Sequence, residues 1–216
     1  MNKYDTVIFD LDGTLLNTLD DLTVSVNHAM KEFGFPLCTP SEVRSFMGNG
    51  IVRLVELSVP GGRQNPRFEE ALSSFKEYYS QHSKDKTQPY PGIMEVLKFL
   101  SEKGYRLAIV SNKFNDAVQD LKQLYFEDLI PVAIGEKENI RKKPEPDTVL
   151  QALSELKSGK EKAVYVGDTE VDIETAKNAG IDCIAISWGF RDKAWLKKAG
   201  AGLIVDDPLS LLKYLS

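Results

Sequence analysis

Two aspartates stand one residue apart near the start of the chain, within Asp10-Leu11-Asp12-Gly13-Thr14. The apolar run Thr6-Val7-Ile8-Phe9 comes directly before them, which predicts that both carboxylates follow a buried strand. One carboxylate of such a pair can attack an electrophile while binding a metal, and the other can donate and recover a proton. Gly13 allows the sharp turn that this spacing needs. The alternative is a pair of aspartates that only accept hydrogen bonds from turn amides.

Further polar residues follow two other apolar runs. Ser111 and Asn112 come after Leu107-Ala108-Ile109-Val110, and their hydroxyl and amide groups are donors for an anionic oxygen. The same pair is also typical of a helix N-cap. Lys143 precedes Pro144, and because the residue before proline is restricted to extended backbone, its ammonium group suits a fixed position facing phosphate. A solvated basic turn is the alternative for this segment.

Asp168 and Asp172 follow a fourth apolar run, Ala163-Val164-Tyr165-Val166. Their spacing of four places them on one helix face or on either side of its start. Carboxylates gathered beside Asp10 and Asp12 would repel one another unless a cation were bound. Hard oxygen ligands favour Mg²⁺ over zinc. The alternative is the ordinary preference of acidic residues for a helix N-terminus.

The elements that must position these residues alternate along most of the chain. Helical patterns separate the later apolar runs, which predicts an α/β fold with a doubly wound parallel sheet that binds ligands outside the carboxyl ends of its strands. Five runs predict buried strands, and a sixth, Gly202-Leu203-Ile204-Val205, is weaker. The five are Thr6-Val7-Ile8-Phe9, Leu107-Ala108-Ile109-Val110, Pro131-Val132-Ala133-Ile134, Ala163-Val164-Tyr165-Val166 and Cys183-Ile184-Ala185-Ile186.

The alternation breaks once, between about Thr18 and Ser83, where the pattern is helical and contains no convincing strand. A helical block inserted after the first strand is typical of a separate cap domain. Its hinges are expected near Asn17-Thr18 and between Asp85 and Pro91, where charge and proline break regular structure. We therefore expect a core formed by residues 1–17 and 86–216, with a cap at 18–85.

Composition limits the class of partner. The net charge of −5 argues against a general affinity for nucleic acid or an anionic membrane, although a local metal ion can still hold phosphate. The two cysteines form no disulfide framework, no secretory signal follows the first residues, and no stretch reaches the length of a membrane span. A cytoplasmic location is expected. Oligomeric state stays open between monomer and dimer.

In this order and on these strand ends, the four groups of residues resemble the motifs of the haloacid dehalogenase superfamily, most closely its phosphoglycolate phosphatase-like branch. The resemblance covers nearly the whole chain, including a helical cap after the first motif. It implies a Rossmann-like core and Mg²⁺-dependent hydrolysis of a small phosphorylated metabolite. The matching segments are Asp10-x-Asp12-Gly13-Thr14-Leu15, Ser111-Asn112-Lys113, Lys143-Pro144-x-Pro146 and Gly167-Asp168-Thr169-x-x-Asp172.

The resemblance also implies a role for each site residue. Asp10 would attack phosphorus to form an aspartyl-phosphate, and Asp12 would protonate the leaving alcohol and then activate water. Mg²⁺ would be held by the Asp10 carboxylate, the Asp12 backbone carbonyl and Asp168, with Asp172 a further support, directly or through water. The phosphoryl oxygens would be held by Thr14, Ser111, amides near Asn112, and Lys143.

Substrate choice is expected to depend on the cap. The segment Arg44-Ser45-Phe46-Met47-Gly48-Asn49-Gly50 joins two predicted helices and resembles the substrate-specificity loop of the branch. Arg44, Asn49 and Arg53 are candidates for contacts with the polar end of a substrate. The alternative for each is an ordinary helix–helix turn.

Other activities stay open on the same motifs. The chain could be a sugar-phosphate mutase similar to beta-phosphoglucomutase, a pyrophosphatase or a nucleotide phosphatase, or a non-catalytic regulatory protein on the same fold. An aspartate at position 12 favours phosphate esters, because dehalogenases and phosphonate-cleaving members of the superfamily lack an acid there.

Overall fold

The computed structural model describes residues 3–215, and most of its regular elements coincide with the predicted runs. In that range the strands are β1 (Thr6–Phe9), β2 (Leu16–Asn17), β3 (Gln88–Pro89), β4 (Arg106–Phe114), β5 (Val132–Glu136), β6 (Ala163–Gly167), β7 (Asp182–Ile186) and β8 (Ile204–Val205). The α-helices are α1 (Leu19–Glu32), α2 (Pro40–Phe46), α3 (Ile51–Ser58), α4 (Phe68–His82), α5 (Ile93–Glu102), α6 (Asn115–Phe126), α7 (Asp147–Leu156), α8 (Glu170–Ala179), α9 (Lys193–Lys198) and α10 (Leu212–Leu215). Short 3₁₀ turns cover Gly62–Gln64, Lys160–Lys162 and Pro208–Leu211.

Six strands form one parallel sheet in the order β5-β4-β1-β6-β7-β8. The strand β1 lies inside the sheet, where Ile8 is opposite Ala108 on β4 and Tyr165 on β6. All four residues of β1 are buried, as expected for a parallel strand covered on both faces. The predicted α/β fold with a doubly wound parallel sheet is confirmed.

Successive strand residues point to opposite faces of the sheet, and each face packs on its own helices. Val7 and Phe9 belong to a hydrophobic cluster with apolar residues of α5 and α6. Ile8 belongs to a second cluster with residues of α7 and α8. These two clusters fix the strand ends from which the candidate site is built.

The strand β4 differs from the prediction at its carboxyl end. We expected it to stop at Val110, but it continues to Phe114, and its register with β5 shifts between those two residues. Ser111, Asn112 and Lys113 are therefore buried within the strand and do not follow it in a loop. A run of polar residues in a sequence usually indicates a loop. These residues can lie inside a strand because they have polar partners in the protein interior.

The chain divides into two compact units. One contains the residues up to Leu16 and those from Pro89 onward, and the other spans Asn17–Gln88. The helical unit contains α1 to α4 and its core includes the stripe Leu22, Val26 and Met30 of α1.

The two crossings between the units lie in β2 and β3, which pair as a separate two-stranded sheet. Within the helical unit, the buried carboxylate of Asp21 on α1 accepts hydrogen bonds from the N–H groups of Lys86 and Thr87 at 2.8 to 3.0 Å. The start of α1 is thereby joined to the segment that leads into β3. No helix within residues 3–215 has both the length and the apolarity needed to cross a membrane.

Candidate active site

Asp10 lies directly after β1 and is buried against β6. Its N–H donates to the carbonyl oxygen of Val166 at 2.9 Å, and its Oδ1 accepts from the ammonium of Lys143 at 2.7 Å. Burial raises the pKa of Asp10 to about 7, although the charge of Lys143 opposes this shift. The carboxylate is therefore held in a fixed place beside one cation.

Lys143 joins three side chains at the centre of the site. Besides Asp10, its Nζ donates to Oδ1 of Asp172 at 2.7 Å and to the hydroxyl of Tyr165 at 3.0 Å. Burial alone would lower the pKa of Lys143, but the two carboxylates outweigh it and raise that pKa well above its ordinary value. The side chain stays a charged ammonium inside the protein.

Asp168 and Asp172 lie on either side of the start of α8. Oδ1 of Asp168 accepts from the hydroxyl of Thr14 at 3.0 Å, and Oδ2 accepts from the N–H of Phe190 at 2.6 Å. Oδ2 of Asp172 accepts from the N–H groups of Asp168 and Thr169 at 3.1 and 3.0 Å, which caps the helix. Burial raises the pKa of Asp168 well above its ordinary value.

The carboxylates of Asp10, Asp168 and Asp172 each offer an oxygen within 4.8 Å of the others. When all three are ionised, the single charge of Lys143 leaves this buried cluster negative by two, which a divalent cation would balance. Carboxylate oxygens are the donors that hard divalent cations prefer. The residues fit a metal site of this kind.

The backbone at Gly13 approaches this cluster closely. The φ angle of Gly13 is +89°, and a Cβ there would lie 2.4 Å from Oδ2 of Asp168 and 2.7 Å from the ring of Phe190. Only glycine fits this conformation in this space. The turn that carries Asp12 is thus held against Asp168.

Asp12 has a different environment from Asp10. Both of its oxygens accept from Nζ of Lys113, at 2.9 and 3.2 Å. The Lys113 side chain is 1% exposed and that of Asp12 is 12% exposed, so this ion pair lies at the edge of the buried region. The site therefore contains two separate aspartate–lysine pairs.

Ser111 and Asn112 make contacts with neighbouring parts of the same site. The Ser111 hydroxyl accepts from the N–H of Lys113 at 3.2 Å. The Asn112 amide donates to the carbonyl oxygen of Lys143 at 3.0 Å. The peptide bond between Lys143 and Pro144 is cis. Asn112 thus supports the loop that carries Lys143.

Comparison with known proteins assigns the family. The sequence model of the haloacid dehalogenase-like hydrolases matches residues 7–186, which contain the site residues from Asp10 to Asp172. The chain belongs to this family. This is the family that the resemblance of the motifs predicted.

Individual members of the family are similar over most of their length. A phosphoglycolate phosphatase of Aquifex aeolicus is 35% identical over 85% of this chain and 85% of its own. A phosphoglycolate phosphatase of Pseudomonas putida is 30% identical over 95% of this chain and 78% of its own. A solved structure from Lactobacillus delbrueckii subsp. bulgaricus, provisionally assigned as a phosphoglycolate phosphatase, is 38% identical, covers 99% of both chains and has a TM-score of 0.94.

The core of this hydrolase brings together eight of the residues singled out from sequence. They are Asp10, Asp12, Thr14, Ser111, Asn112, Lys143, Asp168 and Asp172. Two of them use their side chains differently from the expectation of direct phosphate contact. The Thr14 hydroxyl donates to Asp168, and the Asn112 amide donates to the backbone of Lys143.

Sequence reasoning missed the loop that follows β7. The Trp188 indole N–H donates to the carbonyl oxygen of Thr14 at 3.0 Å, and a Cβ at Gly189 would lie 2.3 Å from the carbonyl oxygen of Gly13. Next to them, Phe190 donates its N–H to Asp168. A glycine between two aromatic residues, directly after a buried strand, is the sequence signal that could have identified this loop.

Two further residues near the site were not among the predicted ones. Lys113 was quoted in the second motif but given no role, and Tyr165 was treated only as a strand residue. The Tyr165 hydroxyl donates to the carbonyl oxygen of Val110 at 3.0 Å and accepts from Lys143. A tyrosine or lysine in a fully buried run needs a polar partner, and this was the available signal.

The three cap candidates lie in the helical unit and are exposed. Arg44 is in α2, Asn49 is in the turn before α3, and Arg53 in α3 forms an ion pair with Glu56 at 3.0 Å. A groove of about 520 Å³ on this unit is lined by residues of α1 and α4 together with Phe33, and by none of the three candidates. Their predicted role in substrate selection stays a prediction.

Proposed function

We propose that this phosphatase hydrolyses a small phosphate monoester with Mg²⁺ as cofactor and Asp10 as covalent nucleophile, and that 2-phosphoglycolate is its substrate. One observation carries the proposal, namely the buried Asp10–Asp168–Asp172 cluster with the Lys143 ammonium 2.7 Å from two of its carboxylates. The phosphoglycolate phosphatases of Aquifex aeolicus and Pseudomonas putida support the choice of substrate.

Asp10 attacks the phosphorus atom through a carboxylate oxygen, and the bond from phosphorus to the leaving oxygen breaks. A carboxylate and a phosphate dianion repel each other, so the attack requires positive charge at the point where they meet. Lys143 supplies one such charge through its contact with Asp10. The product of this step is an aspartyl-phosphate on Asp10 and a free alcohol.

Asp12 is the general acid in the first step and the general base in the second. Its carboxyl group gives a proton to the leaving alcohol oxygen, and the resulting carboxylate takes a proton from the water that attacks the aspartyl-phosphate. The second attack breaks the bond between Asp10 and phosphorus and releases inorganic phosphate. Asp12 then carries the proton it started with, so the cycle is closed.

Mg²⁺ would be held by the Asp10 carboxylate, the Asp12 backbone carbonyl and Asp168. When bound, it neutralises negative charge on the transferring group. Asp172 supports this set, directly or through water, and its oxygens also accept from Lys143 and from the N–H groups at the start of α8. Thr14 orients Asp168 through its hydroxyl.

The phosphoryl oxygens are bound by Ser111, Lys143 and the backbone amides near Asn112. The Asn112 side chain contributes indirectly, because it donates a hydrogen bond to the carbonyl oxygen of Lys143 and so holds the backbone of that lysine. In the helical unit, Arg44, Asn49 and Arg53 recognise the carboxylate end of the substrate. Two arginines and an amide are suitable donors for that group.

The test is release of inorganic phosphate from 2-phosphoglycolate, p-nitrophenyl phosphate, a sugar phosphate and a nucleoside monophosphate, each with Mg²⁺ and with EDTA. We expect Mg²⁺-dependent release, highest kcat/KM for 2-phosphoglycolate, and a protein mass increase of one phosphoryl group after acid quenching. Isomerisation of a bisphosphate-primed sugar phosphate without phosphate release would establish a mutase instead. Absence of turnover with every ester would favour a non-catalytic role.

A further inference from the structure

The core unit contains two lysines that are both buried at the site, and the proposed function uses only one of them. Lys143 contacts Asp10 and Asp172, whereas Lys113 contacts Asp12. Lys113 reaches both oxygens of Asp12, at 2.9 and 3.2 Å, from a side chain that is 1% exposed. Burying an ammonium group costs free energy unless the group is paired with an opposite charge. This contact therefore fixes the positions of both side chains.

The backbone of Lys113 is fixed independently of that ion pair. It lies in the irregular end of β4, and its N–H donates to the Ser111 hydroxyl. A Cβ at Gly135 of β5 would lie 2.7 Å from the Lys113 carbonyl oxygen, so the two strands approach too closely here for any other residue. The ammonium group therefore extends towards Asp12 from a rigid base.

Asp12 itself has little else to hold it. Its segment is a tight turn in which the N–H of Gly13 donates to Leu16 and the N–H of Leu15 donates to Leu11. Those bonds fix the backbone but leave the orientation of the Asp12 carboxylate to its side-chain partner. Because both carboxylate oxygens accept from Lys113, that orientation is defined.

We propose that Lys113 is a positioning residue for Asp12. It holds the carboxyl group where the leaving alcohol departs, and it balances the negative charge that Asp12 acquires when its proton moves to the alcohol oxygen. In that step the bond from Asp10 to phosphorus forms, the bond from phosphorus to the alcohol oxygen breaks, and the proton of Asp12 ends on that oxygen. This inference rests on the proposed function, in which Asp12 is the acid.

The proposal makes a specific prediction about leaving groups. An alkoxide, such as that of glycolate, is a poor leaving group and needs the proton, whereas p-nitrophenolate is a stable anion that leaves without one. A defect in proton donation therefore slows 2-phosphoglycolate more than p-nitrophenyl phosphate. A defect in packing, metal binding or phosphate binding slows both esters alike.

The experiment compares kcat/KM for these two esters in Lys113→Met, Asp12→Asn and the wild type. General acid–base catalysis contributes about 10²–10⁴-fold, so Asp12→Asn should lower the ratio of 2-phosphoglycolate to p-nitrophenyl phosphate by about 100-fold or more. Lys113→Met should lower the same ratio by about tenfold, as a misplaced acid retains part of its effect. Lys193→Met removes an exposed lysine–aspartate pair and should leave the ratio unchanged.

A double variant, Asp12→Asn with Lys113→Met, separates action through Asp12 from independent action. If Lys113 acts through Asp12, the double variant has the same ratio as Asp12→Asn alone. Circular dichroism and the thermal midpoint establish that each variant is folded. Lys113→Gln, which keeps a donor on a shorter side chain without the charge, replaces Lys113→Met if the latter does not fold, and a smaller loss of ratio in the same direction is expected.

Equal slowing of both esters by the Lys113 variant would overturn the proposal, as would a double variant in which the two losses multiply. A different result would overturn the proposed function itself. If Asp12→Asn leaves the ratio unchanged, Asp12 is not the acid, whatever Lys113 does.

Discussion

The core unit and the helical unit hold their candidate functional residues in opposite ways. In the core, Asp10, Lys143 and Asp168 are buried, and each has two or more polar partners at 2.6 to 3.0 Å. In the helical unit, Arg44 and Asn49 are exposed, and Arg53 has a surface ion pair with Glu56. The buried contacts of the core fix the relative positions of its charged groups. The exposed side chains of the helical unit can be substituted without disturbing such contacts.

The energetics of the two arrangements explain the difference. Removing one partner of a buried ion pair costs about 3–5 kcal/mol, because the other charge is left unpaired. Substitutions at ordinary exposed positions change stability by only about 0.5 kcal/mol. The buried core therefore suits the proposed chemistry with fixed charges, and the exposed side chains of the helical unit suit the proposed role in substrate selection. Four predictions test this contrast.

The largest effect is expected for Asp10→Asn in the core. Loss of the nucleophile should reduce turnover of every ester by about 10⁴-fold or more. The amide is the same size and its oxygen can still accept from Lys143, and that ammonium keeps Asp172 as a charged partner. The thermal midpoint should therefore stay near that of the wild type. Phosphate release and circular dichroism measure the two quantities. Retention of a few per cent of activity would contradict the role of Asp10.

The second prediction pairs one glycine from each unit. Gly13→Ala places a Cβ 2.4 Å from Asp168 and should lower kcat/KM by about 100-fold, as expected for an ångström-scale displacement at the site. Gly34→Ala in the helical unit has a similar backbone, with φ of +68°, and open space around the new atom.

Gly34→Ala should therefore cost only the conformational term of about 1–2 kcal/mol in unfolding free energy and leave kcat/KM unchanged. Denaturant unfolding and steady-state kinetics of both variants provide the comparison. Equal kinetic effects of the two substitutions would show that the close approach at Gly13 has no part in activity.

The third prediction concerns pH and metal. Without metal, burial raises the pKa of Asp10 to about 7, above its unfolded value, so the folded state binds more protons and Asp10 disfavours folding as pH rises towards that value. A cation must displace this proton, so stabilisation by Mg²⁺ should be full above the folded pKa and be lost as pH falls through it.

At about 100 times its Kd, Mg²⁺ should add about 2.7 kcal/mol to the unfolding free energy near about pH 8 and much less near about pH 5.5. Thermal unfolding with Mg²⁺ and with EDTA at both pH values measures this. Asp168→Asn is the control and should abolish the gain, whereas Lys31→Ala on the helical unit should retain it. A gain independent of pH would argue against carboxylate ligands.

The smallest effects are expected for Arg44→Ala, Asn49→Ala and Arg53→Ala. Each should lower kcat/KM for 2-phosphoglycolate relative to that for p-nitrophenyl phosphate by about tenfold, because one polar contact to the leaving group is lost. Lys31→Ala, another exposed cation of the helical unit, should change neither rate. If the three variants slow both esters equally, their role is not one of substrate selection.

The sequence by itself determined the frame of this protein. Runs such as Thr6–Phe9 are apolar without alternation, which is required of a strand covered on both faces, and they could be located without any long-range information. The helical block was visible for the same reason, since its 3.6-residue periodicity is local. Asp10 and Asp168 could be identified because parallel strands bring their carboxyl ends to one edge of the sheet.

Only the tertiary structure decided which side chains meet at that edge. Asp12 and Lys113 are separated by 101 residues, and Asp10 and Lys143 by 133. The irregular end of β4, the direction of the Thr14 hydroxyl and the loop after β7 likewise depend on packing between distant segments. The residue type determines which hydrogen bonds and ion pairs a side chain can form. Which partner it meets depends on atoms that lie about 3 Å apart, and they reach that distance only when the strands are assembled.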